Sequence, residues 1–209
     1  MESIPASYWT DQFKAVGGNA ALDFANTLSE RHGDRPVERI RTYSDLVAAS
    51  KQIGVLTEAQ ARLLMASGHD APESAEEVRG QAVALRELLY AVFSAVADGR
   101  EPSPSDLNRF NKALSEVLVH LRVDRTSEGA FAWAWDELSG ALDRMLWPLL
   151  RAAATLLVSD QIGRVQACAA DDCGWLFLDM SRNRSRRWCD MADCGNRAKA
   201  RRFKERHAD

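Results

Sequence analysis

Cys168-Ala169-Ala170-Asp171-Asp172-Cys173 and Cys189-Asp190-Met191-Ala192-Asp193-Cys194 hold every thiol of a 209-residue chain. Each pair encloses four residues, and fifteen residues separate the pairs. A Zn²⁺ ion held by sulfur needs this layout: two tight loops that each deliver two thiolates, joined by a span long enough to fold back. Two disulfides would call for an oxidising compartment. The opening Met1-Glu2-Ser3-Ile4-Pro5 lacks the basic and then apolar run that directs export, so the expectation is a cytoplasmic protein. Unrelated core cysteines would not leave the first 167 residues without one. The segment therefore reads as a zinc finger, with Cys168, Cys173, Cys189 and Cys194 as ligands of one ion. Four thiolates leave no position for water, so the metal is expected to be structural and the finger to unfold without it.

Charge is distributed unevenly around this segment. The chain carries a net −3, yet residues 164–209 hold eleven Lys/Arg against seven Asp/Glu, a balance of +4 that leaves −7 for residues 1–163. Within residues 181–207 ten basic side chains face three acidic ones. Four thiolates on Zn²⁺ add about −2 nearby, which weakens this field without cancelling it. With 46% hydrophobic residues the chain can bury one sizeable core and carry a small appendage. The division expected is a helical domain over residues 1–160 and the finger over 161–209. The longest apolar stretch, residues 146–158, is broken by Pro148 and Arg151 and is too short for a membrane span, so no membrane partner is expected.

The body reads as mainly α. Thr42 with Asp45, Thr57 with Gln60, and Ser103-Pro104 with Asp106 each look like a capped helix start. Val78, Ala82, Leu85, Leu89, Val92, Phe93 and Val96 recur at helical spacing, a stripe predicted to end near Asp98-Gly99. Glu73, Glu76 and Glu77 suit the start of that helix. A further helix is expected over residues 136–159, kinked or interrupted at Pro148. Residues 117–123 and 130–135 read as a small β-hairpin with Phe131, Trp133 and Trp135 on one face, although residues 104–121 could equally run on as one helix. Leu22-Asp23-Phe24-Ala25-Asn26-Thr27-Leu28 combines an apolar face with polar groups. Asp23 and Asn26 could line a ligand pocket, the competing reading being capping and helix–helix hydrogen bonds. His32, His69, His120 and His207 form no catalytic set, and no glycine-rich phosphate loop, serine elbow or His-Glu-x-x-His appears, so no enzyme is expected.

From Cys173 onward, Gly174-Trp175-Leu176-Phe177-Leu178-Asp179-Met180-Ser181-Arg182-Asn183-Arg184-Ser185-Arg186-Arg187-Trp188-Cys189, and then Cys194-Gly195-Asn196-Arg197, the chain resembles the CGNR zinc finger family over about 40 residues. Leu22-Asp23-Phe24-Ala25-Asn26-Thr27 is similar to the opening of the ABATE domain, the helical partner usually found before this finger. The resemblance implies a helical N-terminal domain and a treble-clef-like or knuckle finger that ends in a helix. It also implies a bacterial, stress-induced transcription regulator whose finger binds DNA.

The residues carry a physical version of that implication. After Gly195, residues 196–206 are rich in helix formers, with Asn196 as the expected cap and Phe203 as the expected anchor on the finger's core. Arg197, Arg201 and Lys204 make one ridge, and Lys199, Arg202 and Arg206 another. Arg182, Arg184, Arg186 and Arg187 form a second cluster that the metal would draw towards the first. Arginine suits phosphate and guanine because its planar fork donates two hydrogen bonds at once. Trp175, Phe177 and Trp188 are read as finger core, and Asp179, Ser181, Asn183 and Arg187 as braces. DNA is the expected partner, with a homodimer as a means of doubling few contacts. The competing functions are an RNA-binding or protein-interaction adaptor, and a small-molecule enzyme around Asp23, Asn26 and His32 or Arg35.

Overall fold

The computed structural model describes residues 13–136 and 141–207. Met1 to Pro5, residues 137–140 of the helix expected from Asp136, and the side chain of Glu205 lie outside the described residues. Short polar punctuation sets the helices. Thr42 and Asp45 form a reciprocal capping box that starts α2 (Tyr43–Ile53), after α1 (Ala20–Ala25), and Gly54 ends α2 at φ 87°. Thr57 and Gln60 repeat the device for α3 (Glu58–Asp70), whose last turn holds His69. Pro72 opens α4 (Pro72–Ala97), and Ser103 caps α5 (Pro104–Leu118), each proline in the first turn, where a missing N–H removes no bond.

Helix α4 organises the body. Its buried residues Val78, Ala82, Leu85, Leu89, Val92 and Phe93 follow the expected stripe, and it ends at Asp98 as read. It packs against α1, α2, α3 and α5 and against both strands of the finger's hairpin. Each large side chain so buried stabilises the fold by about 1.5–3 kcal/mol. Among the described helices α4 alone is long and apolar enough to cross a membrane. Here it is a core helix, and its Arg86 makes a two-point ion pair to Glu38 at 2.6 and 2.7 Å.

Two expectations change in the structure. Of the two readings open for residues 104–121, the helix holds as far as Leu118 in α5, so the first hairpin arm starts at Leu121 rather than Val117. Phe110, Leu114 and Val117 recur at steps of four and three and pack into the core, and this helical burial overrides the β-branched run. Strands β3 (Leu121–Arg125) and β4 (Phe131–Trp135), which follow the short pair β1 (Leu28–Ser29) and β2 (Val37–Glu38), then pair antiparallel with Val123 opposite Trp133. Trp135 turns towards Trp147, whereas Phe131 is 77% and Trp133 60% exposed. Second, α6 spans Leu146–Leu157, so Pro148 lies in its first turn and does not interrupt it. The first turn has no donors to lose, so the proline is tolerated there.

The finger is built into this body rather than hung from it. Val165 of β5 (Val165–Ala167) and Leu176 and Leu178 of β6 (Leu176–Leu178) belong to the body's core. Asn26 donates from Nδ2 to the Leu176 carbonyl and accepts the Leu176 N–H, both at 2.8 Å, which completes the edge of β6. Asp23, also buried, accepts the Gly17 N–H at 2.7 Å, and the Gly17 carbonyl in turn accepts the Leu178 N–H. The two side chains, for which a ligand pocket competed with internal hydrogen bonding, thus join the segments, and their polar atoms bond backbone.

Replacing Asn26 by Ala leaves a buried N–H and a buried C=O of Leu176 unpaired. The expected loss is about 1–3 kcal/mol in thermal or urea denaturation of the whole chain. Asp23 adds a pH signature. Burial lifts its pKa from the usual 3.8 to about 6, with the Gly17 and Val16 amides opposing the rise. The folded chain therefore holds this proton more tightly than the unfolded one. That contribution is full below about pH 4 and is lost as pH rises through about 6. Asp23→Asn should raise the melting temperature at pH 8 by the equivalent of roughly 1–3 kcal/mol while giving no gain at pH 4.

Candidate metal centre and basic face

Two knuckles converge on one point. In the first, hairpin β5–β6 leads into and out of the loop from Cys168 to Cys173; the Cys168 N–H donates to Trp175 O at 2.8 Å and the Cys173 N–H to Ala170 O at 3.1 Å. Gly174 closes the loop at φ 69°, and a Cβ there would stand 3.1 Å from both Arg31 and His32. In the second, the Asp190 carboxylate accepts the Ala192 N–H at 2.8 Å, and a π-type turn over Met191–Gly195 runs directly into α7 (Asn196–Arg206). Asp190 is thus the side-chain cap, and Asn196, expected in that role, is the first helical residue. Gly195 sits at an ordinary helical φ of −63°. Its glycine is required by space instead, since a Cβ would lie 2.5 Å from Met191 Sδ and 2.6 Å from Trp188.

All four cysteines are buried and unbridged, and their sulfurs lie within 4.8 Å of one another. Cys189 Sγ is 3.7 Å from both Cys173 Sγ and Cys194 Sγ. Sulfurs at about 2.3 Å from a tetrahedral zinc stand about 3.8 Å apart, so these separations fit a Cys₄ site and far exceed a disulfide bond. Four sulfurs this close cannot all ionise without a cation. Hydrogen bonds from Cys173, Cys189 and Cys194 hold Cys168 well below the usual thiol range, and Cys173 and Cys189 are pushed above it. The donor set is positioned for one metal ion and fits a structural Zn²⁺.

The arginines around the centre divide by use. Arg186 is taken up inside the finger: its guanidinium donates to Trp188 O, Leu178 O, Val16 O and Cys189 O and lies 4.3 Å over the Phe177 ring. That corrects its reading as a phosphate contact, since five neighbours already occupy its donors and face. Arg197 donates to Cys194 Sγ at 3.2 Å and pairs with Asp172 and Asp193. Arg201 pairs with Asp171. Arg187 covers the Trp188 ring at 4.7 Å. Arg182, Arg184, Lys199, Arg202, Lys204 and Arg206 are exposed, and no ion pair reaches them among the described residues. Arg184 projects from a loop held by buried Asp179, which accepts the Ser181 and Arg186 amides at 2.8 and 3.0 Å. At φ 49° it occupies the left-handed region at the loop's tip.

Phe203 does not anchor α7; it is 56% exposed and stacks on His207 at 4.1 Å. The finger's core consists of Phe177 and Trp188 with the four cysteines, and Trp175 packs against it. Nothing in the residue pattern signals that residues 31 and 32 dock on the first knuckle, where Arg31 N–H donates to Cys173 O at 3.1 Å and His32 N–H to Asp172 O at 3.3 Å. His32 also meets Tyr90 Oη at 3.0 Å, and Arg35 is exposed. His120 stacks on Trp147 at 4.0 Å.

A helical body whose core admits the hairpin of a four-cysteine finger defines a class: a two-part protein with a structural metal centre and a basic terminal helix. A family model described as "Putative stress-induced transcription regulator", ABATE, matches residues 18–160, and a CGNR zinc finger model matches residues 164–207. The chain belongs to the ABATE family and carries a CGNR zinc finger. No curated protein matches it in sequence.

Purified protein should contain about one zinc per chain by elemental analysis. Cys194→Ser should lose it, with a shift in tryptophan emission as Trp175 and Trp188 become hydrated, because metal binding contributes on the order of 10–16 kcal/mol to folding such modules.

Proposed function

We propose that the chain is a transcription regulator whose finger grips duplex DNA through its phosphates. The observation that carries this reading is the set of exposed cations on one metal-fixed frame: Arg182 and Arg184 on the loop before Cys189, and Lys199, Arg202, Lys204 and Arg206 on α7. Unpaired cations on a rigid frame attract a polyanion by releasing its counterions. The description of the ABATE family supports a regulatory role, and stress as the inducing condition. In this reading the body does no chemistry. It holds the finger at a fixed angle and receives the signal, in a bacterial cytoplasm.

Fluorescence anisotropy with a labelled duplex tests it. Three or four phosphate contacts predict that affinity falls roughly 40- to 150-fold between 50 and 200 mM salt. Arg184→Gln and Lys199→Gln should each lower the salt slope by about one and weaken binding to all sequences alike. Binding that ignores salt, or stronger binding to single-stranded RNA than to duplex, would count against the reading.

A further inference from the structure

Between the first knuckle and α7 lies a cleft of about 280 Å³. Its walls carry four arginines: Arg187, which covers the Trp188 ring, and Arg197, Arg201 and Arg202 along α7. Two aspartates, Asp171 and Asp172, complete it from the knuckle. They are not bystanders: Asp171 pairs with Arg201, and Asp172 Oδ2 meets Arg197 at 3.1 Å. Asp172 Oδ1 is buried without a hydrogen-bond partner, so this carboxylate fits its place imperfectly.

We propose that this cleft is a phosphate-binding site of the nucleic-acid face and that Asp171 masks it, occupying the Arg201 fork as a carboxylate stand-in for the phosphodiester. The proposal rests on the nucleic-acid reading given above. A carboxylate and a phosphate oxygen pair present the same acceptor geometry to a guanidinium, so one can replace the other on the same donors. The exchange is feasible because the resident pair is weak. Asp171 is 84% and Arg201 50% exposed, and exposed ion pairs hold little free energy. By contrast Arg197 is tied to Cys194 sulfur and two carboxylates and stays in place as a wall of the site. Displacing Asp171 turns its charge into solvent and leaves Arg201, Arg202 and Arg187 around the incoming phosphate. The mask lowers affinity for any polyanion, which favours partners able to make the remaining contacts as well.

A double-mutant cycle on the full-length zinc-loaded protein tests this with a labelled duplex at low salt. Asp171→Asn should tighten binding about two- to fivefold, the factor that an exposed pair of this kind can withhold. In an Arg201→Gln background the same change should have little effect, because there is no fork to unmask. Equal tightening in both backgrounds would mean that removing a negative charge acts only through the general field, and would overturn the proposal. It also falls if duplex binding is lost on Arg182→Gln with Arg184→Gln but is unmoved by Arg201→Gln with Arg202→Gln; the nucleic-acid reading would then survive. Should neither the parent chain nor Asp171→Asn bind duplex DNA or RNA, both readings fall together. Both side chains are exposed, so zinc content and melting temperature should stay at parental values and keep each outcome interpretable.

Discussion

Four sulfurs held within 4.8 Å of one another are the constraint around which the C-terminal part of the chain is arranged. Their mutual repulsion as thiolates is relieved by a divalent cation and by little else in a buried site. Much of the local sequence then follows. Gly195 exists because Met191 and Trp188 leave no room for a Cβ, and Arg197 stands where its guanidinium can donate to Cys194 sulfur. Arg186 ties the loop that begins at Asp179 to the backbone of the second knuckle. Such bonds contribute on the order of 1 kcal/mol each, far less than the metal, so they tune a geometry that the ion determines.

That geometry reaches the body through backbone rather than through a flexible tether. Asn26 completes β6 as a neighbouring strand would, and Arg31 and His32 donate their amides to carbonyls of the first knuckle. On the body side, Arg31 lies 3.8 Å over the Tyr90 ring and pairs with Glu87 of α4, so the central helix and the metal loop share one residue. Val165, Leu176 and Leu178 add apolar contact to the same junction. A change in how α4 packs would therefore be felt at the first knuckle. The finger's orientation is a property of the whole fold.

How much of this was legible in the sequence depended on range. Cysteine spacing showed the metal centre, because a tetrahedral ion imposes its own register on the chain. The capping boxes at Thr42 and Thr57 were equally plain, since each is complete within four residues. Residues whose partners lie outside their own helix were harder to read. Asp23 and Asn26 left a ligand pocket and internal hydrogen bonding both open, because Leu176, the partner of Asn26, is 150 positions distant and Gly17, the partner of Asp23, contributes only a backbone amide. Phe203 looked like an anchor because composition cannot tell which face of a polar helix meets the core, and this helix turns its phenyl ring to His207 instead. The run from Val117 to Val119 could be read as strand or helix because β-branching is a weak preference, easily outweighed by burying Phe110 and Val117 together.

Counting arginines also overstated the charge available at the surface, and magnitudes decide which of them can be recruited. Arg186 makes hydrogen bonds to four carbonyls and covers Phe177; releasing it would strand buried acceptors at about 1–3 kcal/mol each. Arg197 would leave a sulfur and two carboxylates behind. Arg201 gives up a single exposed partner, and pairs of that kind sit near 0–1 kcal/mol, comparable to what one phosphate contact returns. Arg184 and Lys199 give up nothing that the described residues supply. The same residue type thus spans structural brace, exchangeable contact and free cation, and burial of its partners, not its place in a basic run, sorts one from another.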